Sequence, residues 1–344
     1  MLCICRHLSL PRMWVRPRRV ARPTSVSQPC LAKMAKAGHK SRMTSPNDRH
    51  PARLRRSVLC VPADNTRALA KIASLACDAV IYDLEDAVSV DNKVAARQTL
   101  ADHLKRERRS DIEVIVRIND LKTPFGEKDL AFALTLSPDA ILLPKVESPQ
   151  DIQAVVDFLS ENDAPDSVRL WAMIETPRGV LNAAAIAETG RTSGGRLDCF
   201  VPGLNDLRKE TGVPALPGRT YLIAWLMQIL LAARSCGLDI IDAVFNDFRD
   251  DAGFAAECAQ GRDMGFDGKM LIHPAQIGPA NGAFGIADAA LAEARSIIDA
   301  FALPEHAGKA VINLNGQMVE RLHLDQALRL AAKAAAITTK GKKP

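Results

Sequence analysis

The 344-residue chain predicts an α/β protein, a (β/α)8 TIM barrel followed by a C-terminal helical extension. Three observations predict it. Short runs rich in Val, Ile and Leu recur along the chain, helical periodicity fills the gaps between them, and polar residues gather where the runs end. The runs are Ser57 to Val61, Ala79 to Tyr82, Val114 to Ile118, Ala140 to Leu143, Leu170 to Ile174, Cys199 to Val201, Ile240 to Phe245 and Met270 to Ile272. Each is bounded by Pro, Gly, Asp or Asn, as expected of parallel strands buried on both faces. Between them apolar residues recur three or four apart, as in Leu69, Ile72 and Leu75, or Leu222, Trp225, Leu226, Ile229 and Leu230, the mark of amphipathic helices. Eight such units in about 250 residues match a (β/α)8 barrel. A doubly wound sheet competes, but neither G-x-G-x-x-G nor G-x-x-x-x-G-K-[ST] occurs, and Gly268-Lys269 lacks both the upstream glycine and the following hydroxyl. After Pro304 the pattern restarts as a helix around Met318 to Ala336 and a Lys-rich tail, expected to pack on a neighbouring subunit. The predicted organisation is a basic leader at 1–52, a catalytic barrel at 53–303 and the extension at 304–344.

With 47% hydrophobic and 25% charged residues, the composition is that of a soluble globular protein and excludes disorder, collagen and a disulfide scaffold. No apolar run approaches the roughly 18 residues that span a bilayer; the longest candidate, Tyr221 to Met227, stops at Gln228. Residues 1–56 hold 14 Lys/Arg against one acid, Asp48, so the body of the chain is acidic although the whole carries +5. A nucleic-acid binder should carry positive charge on its folded domain, and with 4% aromatics there is little to stack on bases, so that partner is excluded. The leader is acid-free from Met1 to Asn47, rich in Arg, and without the apolar core of a secretory signal. It is either a mitochondrial-type transit peptide or sequence upstream of a true start at Met34 or Met43. Eight Cys with no C-x-x-C pair indicate reduced thiols rather than disulfides or zinc. The expected address is the cytoplasm, or the mitochondrial matrix if the leader is a transit peptide.

Barrel enzymes place their chemistry at the C-terminal ends of strands. The second run ends in Asp83-Leu84-Glu85-Asp86, the third in Arg117-Ile118-Asn119, the fourth in Pro144-Lys145, the fifth in Glu175-Thr176, the sixth in Gly203-Leu204-Asn205-Asp206 and the eighth in His273-Pro274. Glu175 and Asp206 would project hard carboxylate oxygens into one space and leave most of an octahedral shell to water and substrate, which suits Mg²⁺, or Mn²⁺. The competing reading makes them helix N-caps. Arg117 is either an ion-pair partner for Glu85 or Asp86 or the group that neutralises an alkoxide or carboxylate opposite the metal. Lys145 could form a Schiff base, but acids nearby favour a charged, structural amine. His273 fits a backbone hydrogen bond better than a general base. No G-x-S-x-G or H-E-x-x-H occurs, which removes serine hydrolases and zincins.

Six segments, taken together and in order, resemble one family: Arg56 to Pro62, Tyr82 to Val88, Val116 to Asn119, Pro144 to Glu147, Ile174 to Thr176 and Gly265 to Pro274. The chain is similar over about residues 55–335 to the HpcH/HpaI aldolase/citrate lyase family, in its citrate lyase β-subunit-like and malyl-CoA lyase-like branch. The resemblance implies a TIM barrel, a homo-oligomer, commonly trimeric, and Mg²⁺-dependent making or breaking of a C–C bond beside a thioester. It implies metal ligands at Glu175 and Asp206, a substrate-contacting catalytic arginine at Arg117, and Glu85 and Asp86 as an acidic pair beside the metal.

Three positions depart from the family pattern. Ala63 replaces a glycine after the Val-Pro of the first run, Asn205 stands where relatives often have Glu or Ala, and Glu320 stands where several relatives carry a catalytic Asp supplied by a neighbouring subunit. Glu keeps the charge and lengthens the arm by a methylene, so thioester hydrolysis is not carried over. The expected function is cleavage or formation of a citryl-, citramalyl- or malyl-type CoA thioester, giving an acyl-CoA and a 2-oxo acid. The alternatives are a class II aldolase on free 4-hydroxy-2-oxo acids and a non-catalytic assembly subunit; the last gives no reason for two unpaired carboxylates around a vacant centre.

Overall fold

The computed structural model describes residues 53–341. The leader, with Cys3, Cys5 and Cys30, lies outside the described residues. Eight parallel strands close a barrel in sequence order: β1 (Ser57–Pro62), β2 (Ala79–Asp83), β3 (Glu113–Arg117), β4 (Ala140–Leu143), β5 (Arg169–Ile174), β6 (Leu197–Pro202), β7 (Asp239–Asp242) and β8 (Gly268–Leu271). β1 pairs with both β2 and β8, which leaves no sheet edge.

The unbroken apolar runs are explained by two cores that meet at the sheet. Val80, Tyr82, Val114, Val116, Leu170, Ala172 and Phe200 point out to the helices. Ala79, Ile81, Ile115, Trp171, Met173, Cys199 and Val201 fill the barrel interior. This parity fixes the site, because side chains on a strand alternate. Counting on by twos from the interior residues reaches Asp83, Arg117, Glu175 and Gly203 at the C-terminal ends.

The N-terminal mouth is plugged. Arg55 lies 4.7 Å from the Trp171 ring and bonds Glu113 at 2.7 and 2.9 Å, Asp198 at 2.6 Å and Asp239 at 2.7 Å. Chemistry is therefore confined to the opposite rim.

The extension differs from its prediction. Met318 to Glu320 is not helical; β9 (Val311–Leu314) and β10 (Gln317–Glu320) form an antiparallel hairpin, and the helix runs Arg321–Gly341. The cause is Asn315-Gly316, both at positive φ (53° and 83°), which makes the two-residue turn that matches strand twist. The hairpin, the helix Asp288–Ala302 and the last helix share a small core of Ala300, Phe301, Ile312 and Val319. Lys340 bonds the Cys77 carbonyl at 2.8 Å and Asp78 at 3.2 Å, which anchors the last helix beside the start of β2. Among the described residues all five Cys are free thiols, and no helix is long and apolar enough to cross a membrane.

Candidate active site

The rim residues surround a cavity of about 510 Å³ lined by Cys60, Asp83, Asp86, Arg117, Met173, Glu175, Gly203, Asn205, Asp206, Lys209 and Met270, among others. Arg117 and Asp83 are register partners on adjacent strands, which sets guanidinium against carboxylate. Arg117 Nε donates to one Asp83 oxygen at 2.7 Å and Nη2 to the other at 2.5 Å; Nη1 lies 3.4 Å from Met173 Sδ and 3.2 Å from Glu85. Asp83 also accepts the Glu85 and Ala87 amides, so it fixes the loop and the arginine together. Burial opposes the guanidinium charge, but Asp83 and then Glu85 outweigh it and hold Arg117 well above its ordinary value.

Lys145, at φ 51°, turns its amide onto Glu175 Oε1 at 2.8 Å and its ammonium onto Glu85 at 2.5 Å. Burial again works against the charge, and Glu85 and Asp86 raise Lys145 above the ordinary lysine value. Such an amine is protonated and no nucleophile.

Glu175 is 1% exposed. Burial pushes its carboxyl up to about 8; Glu85 and Asp206 add to this, while Arg117 and the Lys145 amide oppose it. The N-cap of the following helix is Thr176, which accepts from Gly179 at 3.0 Å, so Glu175 is not a cap. Asp206 sits in the first turn of the helix Leu204–Thr211. A divalent cation between the two would relieve the electrostatic penalty at Glu175, and the donors are the hard oxygens Mg²⁺ prefers. Among the described residues no group of three or more His, Cys, Asp or Glu forms a closed cage; a two-carboxylate site leaves the other positions to water and substrate.

Gly203 has an ordinary φ but no room for a side chain, since a Cβ there would overlap Glu175 Cβ and Oε2. Gly203→Ala is expected to displace the carboxylate and weaken Mg²⁺ binding at least ~10-fold, about 1.4 kcal/mol, with an unchanged circular dichroism spectrum; titration calorimetry reads it.

The remaining residues singled out by sequence take varied places. Glu85 is buried beside Arg117 and Lys145, whereas Asp86 is exposed at the mouth, 3.9 Å from Lys145. Asn205 exchanges amide hydrogen bonds with Asn246 at 2.8 and 3.2 Å, tying the loop after β7 to the segment that carries Asp206. Ala63 is fully buried and donates to the Asp83 carbonyl at 2.9 Å, so the methyl is accommodated. His273 Nδ1 accepts from the Ala275 amide at 3.2 Å and the ring stacks on Phe248 at 4.8 Å, as a structural histidine does. Burial, with Asp83 adding, pushes the Cys60 thiol up to about 12, which makes it inert at neutral pH. Glu320 is not among the residues lining its own chain's cavity; its amide donates to His323 Nδ1 at 2.9 Å. Sequence reasoning missed Asp83 as the partner of Arg117, Gly203, Met173 and Asn246. Two roomier clefts, about 680 and 1000 Å³, flank the last helix, but Arg109 there is already bonded to Asp111 and to the Ile72, Ala73 and Leu75 carbonyls.

Residues 56–274, most of the barrel with its whole polar rim, match the HpcH/HpaI aldolase/citrate lyase family. The chain belongs to this family. It is 46% identical over 288 residues to a (3S)-malyl-CoA thioesterase of Cereibacter sphaeroides, covering 84% of this chain and 97% of the relative. It is 31% identical over 334 residues to the mitochondrial citramalyl-CoA lyase of Homo sapiens, covering 94% and 98%. Its fold is similar to CitE of Mycobacterium tuberculosis in complex with magnesium, acetoacetate and coenzyme A, with TM-score 0.63 and 30% identity over 81% of this chain and 97% of that one. Within the HpcH/HpaI family fold, the polar ends of β2, β3, β5 and β6 are the parts that meet in one cavity.

Proposed function

We propose that the chain is a Mg²⁺-dependent carbon–carbon lyase. It splits a 3-hydroxy-3-carboxyacyl-CoA thioester of the citryl, citramalyl or malyl kind into an acyl-CoA and a 2-oxo acid, or joins them in reverse. The observation that supports this best is the one cavity shared by Arg117, Glu175 and Asp206 in a member of this family.

Glu175 and Asp206 would hold the cation, Mg²⁺ or Mn²⁺. When bound it supplies Lewis acidity and a template for the oxo acid's carbonyl and carboxylate. The remaining work falls to the protein. Arg117, held by Asp83 and unable to lose its proton, stabilises the substrate oxygen as it alternates between alkoxide and carbonyl. In cleavage the Glu320 carboxylate of a second copy takes the 3-hydroxyl proton, the bond between the carbinol carbon and the thioester α-carbon breaks, the electron pair leaves as the thioester enolate, and Glu320 returns the same proton to the α-carbon. Lys145 orients Glu175 through its amide, and its ammonium, with Arg117, opposes the upward push that burial gives the Glu85 carboxyl. The Glu320 assignment requires an oligomer, a trimer or a multiple of one.

The human relative's match reaches into the basic leader, which favours the mitochondrial matrix over the cytoplasm as the address. A second reading is hydrolysis of the thioester itself, favoured by the 46% identity to a malyl-CoA thioesterase. One assay separates them: released 2-oxo acid and free CoA thiol are followed from citryl-, citramalyl- and malyl-CoA, with Mg²⁺ and with EDTA. Oxo acid without free thiol, abolished by EDTA, is the lyase result; free thiol without oxo acid is the hydrolase result. Silence on all three moves the assignment to free hydroxy-oxo acids or an assembly role.

A further inference from the structure

We propose that Lys93, which is buried and does not line the cavity, is a positioning residue for the metal site: its ammonium fixes the peptides on either side of Glu85, and through Glu85 it sets the carboxylate of Glu175. The inference rests on the assignment of Glu175 and Asp206 to the cation and adds a residue that serves it from outside.

Lys93 is badly placed for a lysine that only holds the fold together. It is 7% exposed and opens the helix Lys93–Glu107, where the helix dipole favours acids. Among the described residues no carboxylate pairs with it. Its Nζ donates to the Leu84 carbonyl at 3.1 Å and the Glu85 carbonyl at 2.9 Å, with the Phe125 ring centroid 5.8 Å away. Taking an ammonium out of water against carbonyls alone costs free energy. Nor do the carbonyls need it as a donor: Leu84 O also accepts from Asn119 Nδ2 at 2.7 Å, and Glu85 O from the Val88 amide at 3.0 Å.

What the ammonium adds is a fixed orientation. The C=O and N–H of a trans peptide point opposite ways, so with Leu84 O drawn to Lys93 the Glu85 amide is aimed at Asp83, whose Oδ1 it reaches at 2.8 Å. One peptide plane thereby joins Lys93 to the carboxylate that clamps Arg117. Because the same ammonium also binds Glu85 O, the Glu85 Cα is held from both sides and its side chain is aimed. That side chain takes Lys145 Nζ at 2.5 Å, and Lys145, at φ 51°, turns its amide onto Glu175 Oε1 at 2.8 Å. A non-glycine residue keeps such a φ only where its surroundings hold it.

The test is Mg²⁺ binding to the full-length, metal-free protein by titration calorimetry, which requires no turnover. Lys93→Met keeps the length of the stem, leaves each carbonyl a donor, and is checked for folding by circular dichroism. Deleting a positive charge would by Coulomb's law alone tighten cation binding, so weaker binding reports lost geometry. Lys93→Met is expected to weaken Mg²⁺ binding ~10-fold, the low end of the effect of groups that orient a metal ligand. In Glu85→Ala protein the same substitution is expected to change affinity by no more than about 2-fold, since the side chain that carries the effect is gone. Lys93→Gln, which keeps an N–H donor, is read the same way if the methionine variant does not fold. Unchanged or tighter binding in Lys93→Met overturns the inference and leaves the metal assignment intact, and so does an undiminished loss in Glu85→Ala protein. A wild type that binds no Mg²⁺ overturns both.

Discussion

Glu175→Gln is expected to lower Mg²⁺-dependent turnover at least ~10³-fold while leaving the barrel folded. The substitution keeps the shape of a side chain that is 1% exposed and removes one of two charges facing the cation. A metal supplies several kcal/mol of transition-state charge stabilisation, and each 1.36 kcal/mol is tenfold in rate. Stability should move the other way. In metal-free protein the Glu175 carboxyl is raised from 4.5 to about 8, so the folded state holds a proton that the unfolded chain has already lost. Its contribution to stability is therefore present below pH 4.5 and is lost as pH rises through 8. Glutamine cannot ionise. Thermal melts in EDTA from pH 5 to 8.5 should fall more steeply for the wild type than for Glu175→Gln. Retained Mg²⁺-dependent activity in the variant would sink the metal assignment, and a variant less stable than wild type at pH 8 would sink the electrostatic account of Glu175.

Why the barrel and half of its rim were legible, and the other half was not, depends on where each constraint lives. The strands could be read because burial on both faces leaves uninterrupted Val/Ile/Leu runs, and their period of two fixes which residues turn inward. Glu175 stands out in the sequence because a carboxylate directly after such a run has no local reason to be there, whereas Asp206 falls in the first turn of a helix, where an acid is favoured locally, and is marked by its place after the next strand and by the family pattern. Asp83 was in view but its role was not: Glu85, expected as an ion-pair partner of Arg117, does lie 3.2 Å from it, but the two-oxygen contact of Asp83 depends on β2–β3 register. Gly203 matters through contact with a side chain on another strand, and no local signal marks it. The Asn205–Asn246 pair likewise joins the start of a helix to a loop 41 residues further on. The hairpin at 311–320 was different. Its Asn315-Gly316 turn between Val311-Ile312 and Met318-Val319 is a local signal, and the helical periodicity of Arg321 to Ala336 drew its second strand wrongly into the helix.

The second large effect concerns Arg117. Arg117→Lys is expected to lower kcat by ~10²–10³-fold, the range seen when one donor to a developing oxyanion is lost, with Mg²⁺ affinity nearly unchanged. Lysine keeps the charge but not the fork. It cannot bind both Asp83 oxygens and still present a donor to the substrate oxygen, so the loss falls on the transition state and appears in kcat more than in KM. Arg117→Ala is a poorer probe, because Asp83 is fully buried and would be left as an uncompensated charge at a cost of about 3–5 kcal/mol. Asp83→Asn supplies the complementary measurement. It preserves Arg117 but loosens its anchor, so kcat should fall less than in Arg117→Lys, and the double variant should fall short of the product of the two losses, since both act through one guanidinium. Full multiplicativity would mean that Asp83 and Arg117 work independently, and the pair would then be no more than a neighbouring salt bridge at the end of two strands.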